Sequence, residues 1–335
     1  MSGEHGLPAC PFRQPAEKLF VFNSTNAFNG SESSAVADDK AGRQPLLPRS
    51  RTCVPLSVCT KDLITQHSSL MSRFDLHHQD CVEGMAKLPN ESVDLVVTSP
   101  PYNLGVGYSK YFDRQDRQSY LRWCRKWTAE VRRILKSNGS FFVNIGSAPS
   151  NPMLPHEIAM ELRDLFVLQN TIHWIKSITI GDQKGDLQSH GHFKPINSKR
   201  FLNDSHEYIF HFTESGRVEI DRLALSVPYQ DKSNIARWRH TRGSDSRCRG
   251  STWFIPYETI QNRVKERPHP ATFPVQLAEW CIRLHGLSRV NTMLDPFLGI
   301  GNSAVAAKNC GVKRFIGFEI DETYLAEAKR RIRES

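Results

Sequence analysis

None of the eight cysteines of this 335-residue chain, Cys10, Cys53, Cys59, Cys81, Cys124, Cys248, Cys281 and Cys310, forms a Cys-x-x-Cys pair. None stands at zinc-finger spacing to a histidine pair, which argues against a structural zinc site. Cys124, Cys281 and Cys310 fall in predicted helices, where a free thiol behaves as a small core residue. The pattern is that of a reduced, intracellular protein without a metal. No apolar run approaches the roughly 20 residues of a membrane span. No charged-then-apolar leader opens the chain, and there is no P-loop, nuclease motif or internal repeat. Acid is also short: 35 Asp and Glu face 44 Lys and Arg, a formal charge of +9. Such an excess suits a polyanion, though a solvated basic surface produces it equally well.

Residues 1–70 are polar, punctuated by proline and without sustained periodicity, and are expected to be a disordered extension. From residue 74 the order becomes strand, helix, strand. Strands are predicted at 74–79, 93–98, 140–145, 171–175, 207–212, 291–294 and 314–318. Helices are predicted at 82–87, 117–136, 156–164, 273–285 and 303–309, with a last one from residue 322. Gly139 is the expected C-cap of the helix over 117–136. Strands alternating with helices predict an α/β fold with a doubly wound, mostly parallel sheet. One stretch breaks the alternation. Between residues 237 and 249, Arg237, Arg239, Arg242, Arg247 and Arg249 face a single acid, Asp245, with Trp238, Trp253, Phe254 and Tyr257 interleaved nearby.

Two motifs carry chemistry. Thr98-Ser99-Pro100-Pro101-Tyr102-Asn103 follows the buried strand 93–98. Successive prolines fix their own φ angles and restrict the residue before each, so the loop is rigid. The carboxyl end of a parallel strand is where α/β ligand sites lie. An exocyclic amine on a nucleobase is a poor nucleophile, because its lone pair is delocalised into the ring. Acceptors aimed at its two N–H bonds favour the pyramidal geometry that attack requires. The Ser99 oxygen and the Pro100 carbonyl suit that role, and Tyr102 offers a face on which an extruded base can stack. The second motif is Asp295-Pro296-Phe297-Leu298-Gly299-Ile300-Gly301-Asn302-Ser303, again strand, glycine turn and helix. Gly299 and Gly301 let the backbone approach a ligand. Glu319 ends the next strand, where a carboxylate can accept from both ribose hydroxyls of an adenosine. By itself this loop also fits a dinucleotide fold and does not separate NAD from S-adenosylmethionine.

Together the two motifs resemble the amino-methyltransferases of bacterial restriction–modification systems, in the class whose catalytic motif precedes its cofactor motif. The resemblance covers residues 74–335 and implies a seven-stranded sheet in which the two motif strands are central neighbours. It implies S-adenosylmethionine as cofactor and double-stranded DNA as partner, and allows a cognate restriction endonuclease. Ser99, Pro100, Pro101 and Tyr102 match the catalytic tetrapeptide. The implied cofactor-binding set is Asp295, Phe297, Gly299, Gly301, Asn302, Ser303 and Glu319, with Thr272 of His269-Pro270-Ala271-Thr272-Phe273-Pro274 on the methionine side. Asp80 is either an adenine contact or an ordinary helix N-cap. Target recognition falls in the insertion at 213–265. Its arginines suit phosphates or guanine edges, although a solvated loop remains the plain alternative. Serine before Pro-Pro is typical of the family's cytosine-N4 enzymes, so N4 of cytosine is the expected target. The serine hydroxyl can also donate a hydrogen bond, for instance to cytosine N3 beside the amine. The alternatives are N6 of adenine, a base in RNA and, from the glycine loop alone, an NAD-binding oxidoreductase.

Overall fold

The computed structural model describes residues 72–181, 186–191, 197–256 and 271–335. The expected extension at 1–70, His269, Pro270 and the end of the insertion at 257–265 lie outside the described residues.

Among the described residues ten strands form, in chain order: β1 (Arg73–His78), β2 (Val93–Thr98), β3 (Leu135–Ile145), β4 (Val167–Ile175), β5 (Ser177–Gly181), β6 (Leu187–Gly191), β7 (His206–Thr213), β8 (Thr252–Phe254), β9 (Thr292–Asp295) and β10 (Arg314–Glu319). The α-helices of the described residues are α1 (Cys81–Met85), α2 (Arg117–Ile134), α3 (Leu154–Leu162), α4 (Ser233–Arg237), α5 (Val275–His285), α6 (Asn302–Asn309) and α7 (Glu322–Glu334). Eight strands make the main sheet, in the order β1-β10-β9-β2-β3-β7-β4-β8. The expected α/β class and mostly parallel sheet are observed, with antiparallel pairing only where β7 meets β3 and β4. The count is eight rather than seven. The extra strand is β8, drawn from the expected insertion and paired parallel to β4 through Trp174 and Trp253.

Leu95–Val97 reads as apolar sequence because both faces of β2 are covered, and the buried Asp94 before it accepts from the N–H groups of Asn291 and Thr292. Leu95 and Val97 pack with Phe142, Met293 and Phe315 in the cluster that includes α5, α6 and α7. Val96 packs with Phe141, Val143 and Leu294 in the opposite cluster, which includes α1, α2 and α3. Gly139 is not a C-cap. Leu135 still donates its N–H to Val131, yet already pairs with Val93, so the chain passes from helix to strand without a glycine turn. Gly139 lies instead in the irregular start of β3, where the register against β2 shifts.

β2 and β9 are direct neighbours, in register at Leu95–Met293 and Val96–Leu294. From β2 the chain steps to β3 on one side and from β9 to β10 on the other, so the loops after β2 and β9 open into one crevice. Among the described residues no helix is long and apolar enough to cross a membrane.

Candidate active site

One cavity is lined by both motif loops, by the N-terminal end of α7 and by the segment after β1. Beneath it Asp295, 1% exposed, joins the two motif strands. Its Oδ1 accepts from Thr98 Oγ1 at 2.6 Å and from the Phe297 N–H at 3.0 Å, and its Oδ2 accepts from the Ser303 hydroxyl. Burial pushes the Asp295 carboxyl up to about 6. Asp295, Ser303 and Gly301 are not in the lining. Gly301 holds φ +83°, and a Cβ there would meet the Ala328 Cβ at 2.8 Å, so this glycine admits α7 rather than a ligand.

Phe297, Gly299, Asn302, Thr272 and Glu319 do line the cavity. Gly299 holds φ +54° and donates its N–H to Glu319 Oε2 at 2.8 Å. Glu319 Oε1 accepts from the Asp321 N–H at 2.9 Å. Each carboxylate oxygen keeps a second lone pair for a ligand, and burial raises the Glu319 carboxyl above its usual range. Asn302 reaches across to the Phe273 carbonyl, tying the loop to the segment that carries Thr272. Phe297 is wedged between Trp123 and Trp127 of α2. Asp80 is the N-cap of α1, accepting from Val82 and Glu83, and it also borders the cavity.

Ser99, Pro100, Pro101 and Tyr102 form the opposite wall. The Pro101 carbonyl is taken by Tyr120 Oη at 2.6 Å, while the Pro100 carbonyl has no donor among the described residues. The turn that follows is fixed by Asp113, absent from the sequence-based set. Its buried carboxylate accepts the N–H groups of Asn103, Leu104 and Val106 at 2.8, 3.1 and 2.9 Å.

Behind Ser99 lies a polar network that the sequence motifs do not reveal. Ser99 Oγ is 2.6 Å from Tyr102 Oη, which is 3.1 Å from Glu207 Oε2. Asn144 Nδ2 donates to Tyr102 Oη at 2.7 Å and to Glu207 Oε2 at 2.6 Å. Lys176 Nζ pairs with Glu207 Oε1 at 3.0 Å. Tyr102 Oη lies 3.1 Å from both Glu207 Oε2 and the Asn144 carbonyl oxygen; the charged acceptor draws its proton more strongly, which leaves the Ser99 hydroxyl to donate to Tyr102. Ser99 then faces the cavity as an acceptor. The amide protons agree: Asn144 spends one N–H on each partner, and its buried Oδ1 has none.

The insertion arginines stand apart from this cavity. Arg237, Arg239, Arg242 and Arg247 are exposed. Arg249 instead lies over the Trp280 ring, 4.5 Å from its centroid, and donates to the Leu225 carbonyl.

Comparison with known proteins decides between the readings of this cleft. The N6/N4 methyltransferase family, described as DNA methylase, matches residues 93–330. The chain belongs to that family. It is an S-adenosylmethionine-dependent DNA methyltransferase of the type that modifies N4 of cytosine or N6 of adenine. The type II methyltransferase M.ScaI of Streptomyces caespitosus is 26% identical over 77% of this chain and 80% of its own length. The type II methyltransferase M.HinfI of Haemophilus influenzae is 27% identical over 76% of this chain and 67% of its own. The solved PvuII DNA methyltransferase (cytosine-N4-specific) shares the fold, with a TM-score of 0.58 at 20% identity, covering 78% of this chain and 86% of that one.

Proposed function

We propose that this methyltransferase acts on N4 of cytosine in duplex DNA, with the target base extruded into the cleft. The observation that carries the reading is the Ser99 hydroxyl on the cavity wall, its oxygen 2.6 Å from Tyr102 Oη. The exocyclic amine has two N–H bonds and needs two acceptors. Ser99 Oγ and the Pro100 carbonyl supply them from a loop that two prolines hold still. A neutral hydroxyl is a shorter acceptor than the carboxylate or carboxamide usual before Pro-Pro in adenine enzymes.

The residues on the other wall fit S-adenosylmethionine. Glu319 has carboxylate lone pairs left for the ribose hydroxyls, and Phe297 supplies an apolar surface. Thr272, Gly299, Asn302 and Asp80 complete the contacts. Asp295, Ser303 and Gly301 belong to the scaffold that brings the loops together. When bound, the cofactor supplies an electrophilic methyl group. Arg237, Arg239, Arg242 and Arg247 would meet DNA phosphates or guanine edges.

Mass spectrometry of nucleosides from DNA treated with the protein and labelled S-adenosylmethionine tests this. N4-methylcytosine is expected, and none with Ser99→Ala. N6-methyladenine instead would overturn the base assignment and leave the cleft as described.

A further inference from the structure

Methyl transfer leaves the exocyclic nitrogen with one proton too many, and nothing in the catalytic tetrapeptide is a base. The geometry points to Glu207 as the terminal proton acceptor of the reaction, reached from the substrate nitrogen through Ser99 and Tyr102. This rests on the methyl-transfer reading of the cleft.

Every link is in place before substrate arrives. Ser99 Oγ to Tyr102 Oη is 2.6 Å, and Tyr102 Oη to Glu207 Oε2 is 3.1 Å. As the N–C bond forms and the carbon–sulfur bond breaks, its electron pair stays on sulfur and the nitrogen becomes cationic. An N–H proton then passes to Ser99 Oγ, the Ser99 hydroxyl proton to Tyr102 Oη, and the Tyr102 proton to Glu207 Oε2. Both hydroxyls are regenerated, and the net change is one proton moved from nitrogen to carboxylate. A protonated exocyclic amine is a strong acid, so an ordinary carboxylate suffices as base. Burial and the Glu207 charge hold the Tyr102 phenol well above its usual range, so it relays a proton as a neutral hydroxyl rather than ionising. Lys176, 3.0 Å from Oε1, favours subsequent loss of the acquired proton from Glu207. Asn144 fixes the angle between Tyr102 and Glu207.

Single-turnover methylation of duplex DNA at pH 8 tests the relay in three variants. Glu207→Gln should keep the hydrogen-bonding shape and lose about 10²-fold in rate, at the low end for general-base catalysis. Its affinities for S-adenosylmethionine and DNA, by calorimetry, should stay within about threefold. Glu207→Ala opens space beside Tyr102, and added formate should restore its rate in a concentration-dependent way. Tyr102→Phe cuts the chain while leaving Glu207, Asn144 and Lys176 in place. Combined with Glu207→Gln it should be no slower than the slower single variant, because both remove one path. A Glu207→Gln rate within threefold of the unaltered protein, no formate rescue, or additive losses would overturn the relay. Absence of methylation or of cofactor binding in the unaltered protein would instead overturn the reading beneath it.

Discussion

Thr98 Oγ1 lies 2.6 Å from Asp295 Oδ1, and this one hydrogen bond joins the strand that ends in the catalytic motif to the strand that ends in the cofactor motif. The two residues are 197 positions apart in the chain. Both are buried, so the bond forms out of water and to a carboxylate. Thr98→Val keeps the side-chain shape and removes the donor. Unfolding in urea should show a loss of about 1.5–3 kcal/mol, the usual worth of a hydrogen bond to a charged group. An unchanged midpoint would mean that backbone pairing of β2 with β9 sets the juxtaposition alone.

Gly301 and Glu319 separate scaffold from ligand contact. Gly301→Ala places a Cβ 2.8 Å from that of Ala328 at φ +83°, a strain of about 1–3 kcal/mol. Its melting temperature should fall in the free protein, before any cofactor is added. Glu319→Gln keeps one acceptor for the loop N–H groups but loses charge toward the ribose. Calorimetry should show S-adenosylmethionine affinity reduced about 10- to 150-fold. A normal melting temperature for Gly301→Ala would return that glycine to the cofactor site.

The parallel core was legible because strands covered on both faces read as short apolar runs, as at Leu95–Val97 and Phe141–Val143, and because a glycine turn follows β9. β5 and β6 were not. Every described position of β6 is exposed, so its sequence carries no core-facing pattern to detect. β8 is three residues long and owes its place to Trp253 packing beside Trp174 and Trp280, a long-range contact. In the active site, the motif residues announced themselves by spacing. Glu207 and Asn144 did not, since their meeting depends on β7 lying antiparallel to β3. A partial signal existed for Asn144, a polar residue that follows the apolar run Phe141–Val143 in a buried strand.

The five arginines should divide four to one. Arg237, Arg239, Arg242 and Arg247 are exposed, whereas Arg249 packs on Trp280. Alanine at the four should weaken DNA binding and lower the slope of log affinity against log salt by about 0.9 for each phosphate no longer neutralised. Arg249→Ala should leave the slope alone and lower stability, because it removes the cation–π stacking on Trp280 and leaves the Leu225 carbonyl without its donor. An unchanged slope in the four-arginine variant would move the DNA surface elsewhere.

The last prediction concerns acid, and it follows from two histidines far from the catalytic loops. His211 and His285, both within the core, meet on the Ser140 hydroxyl at 2.9 Å each. Asn170 Nδ2 donates to His211 Nδ1, so that ring's Nε2–H donates to Ser140, whose proton goes on to His285 Nδ1. This directional chain requires both imidazoles neutral. Burial lowers His211 to about 3 and His285 to about 4. In the unfolded chain both titrate near 6.5, so below that pH the unfolded state binds protons the folded state refuses. Stability is therefore complete above about 6.5 and falls as acid is added. At pH 5 the loss is about 2 kcal/mol for each histidine. Asp295 acts with the opposite sign. Its folded value of about 6 exceeds the unfolded 3.8, so the folded state gains a proton first and recovers about 1 kcal/mol at pH 5. These three groups together favour a net loss of about 2–3 kcal/mol between pH 8 and pH 5, readable as a lower urea midpoint. A midpoint that is flat or rises on acidification would show that the histidine pair does not govern the acid limb.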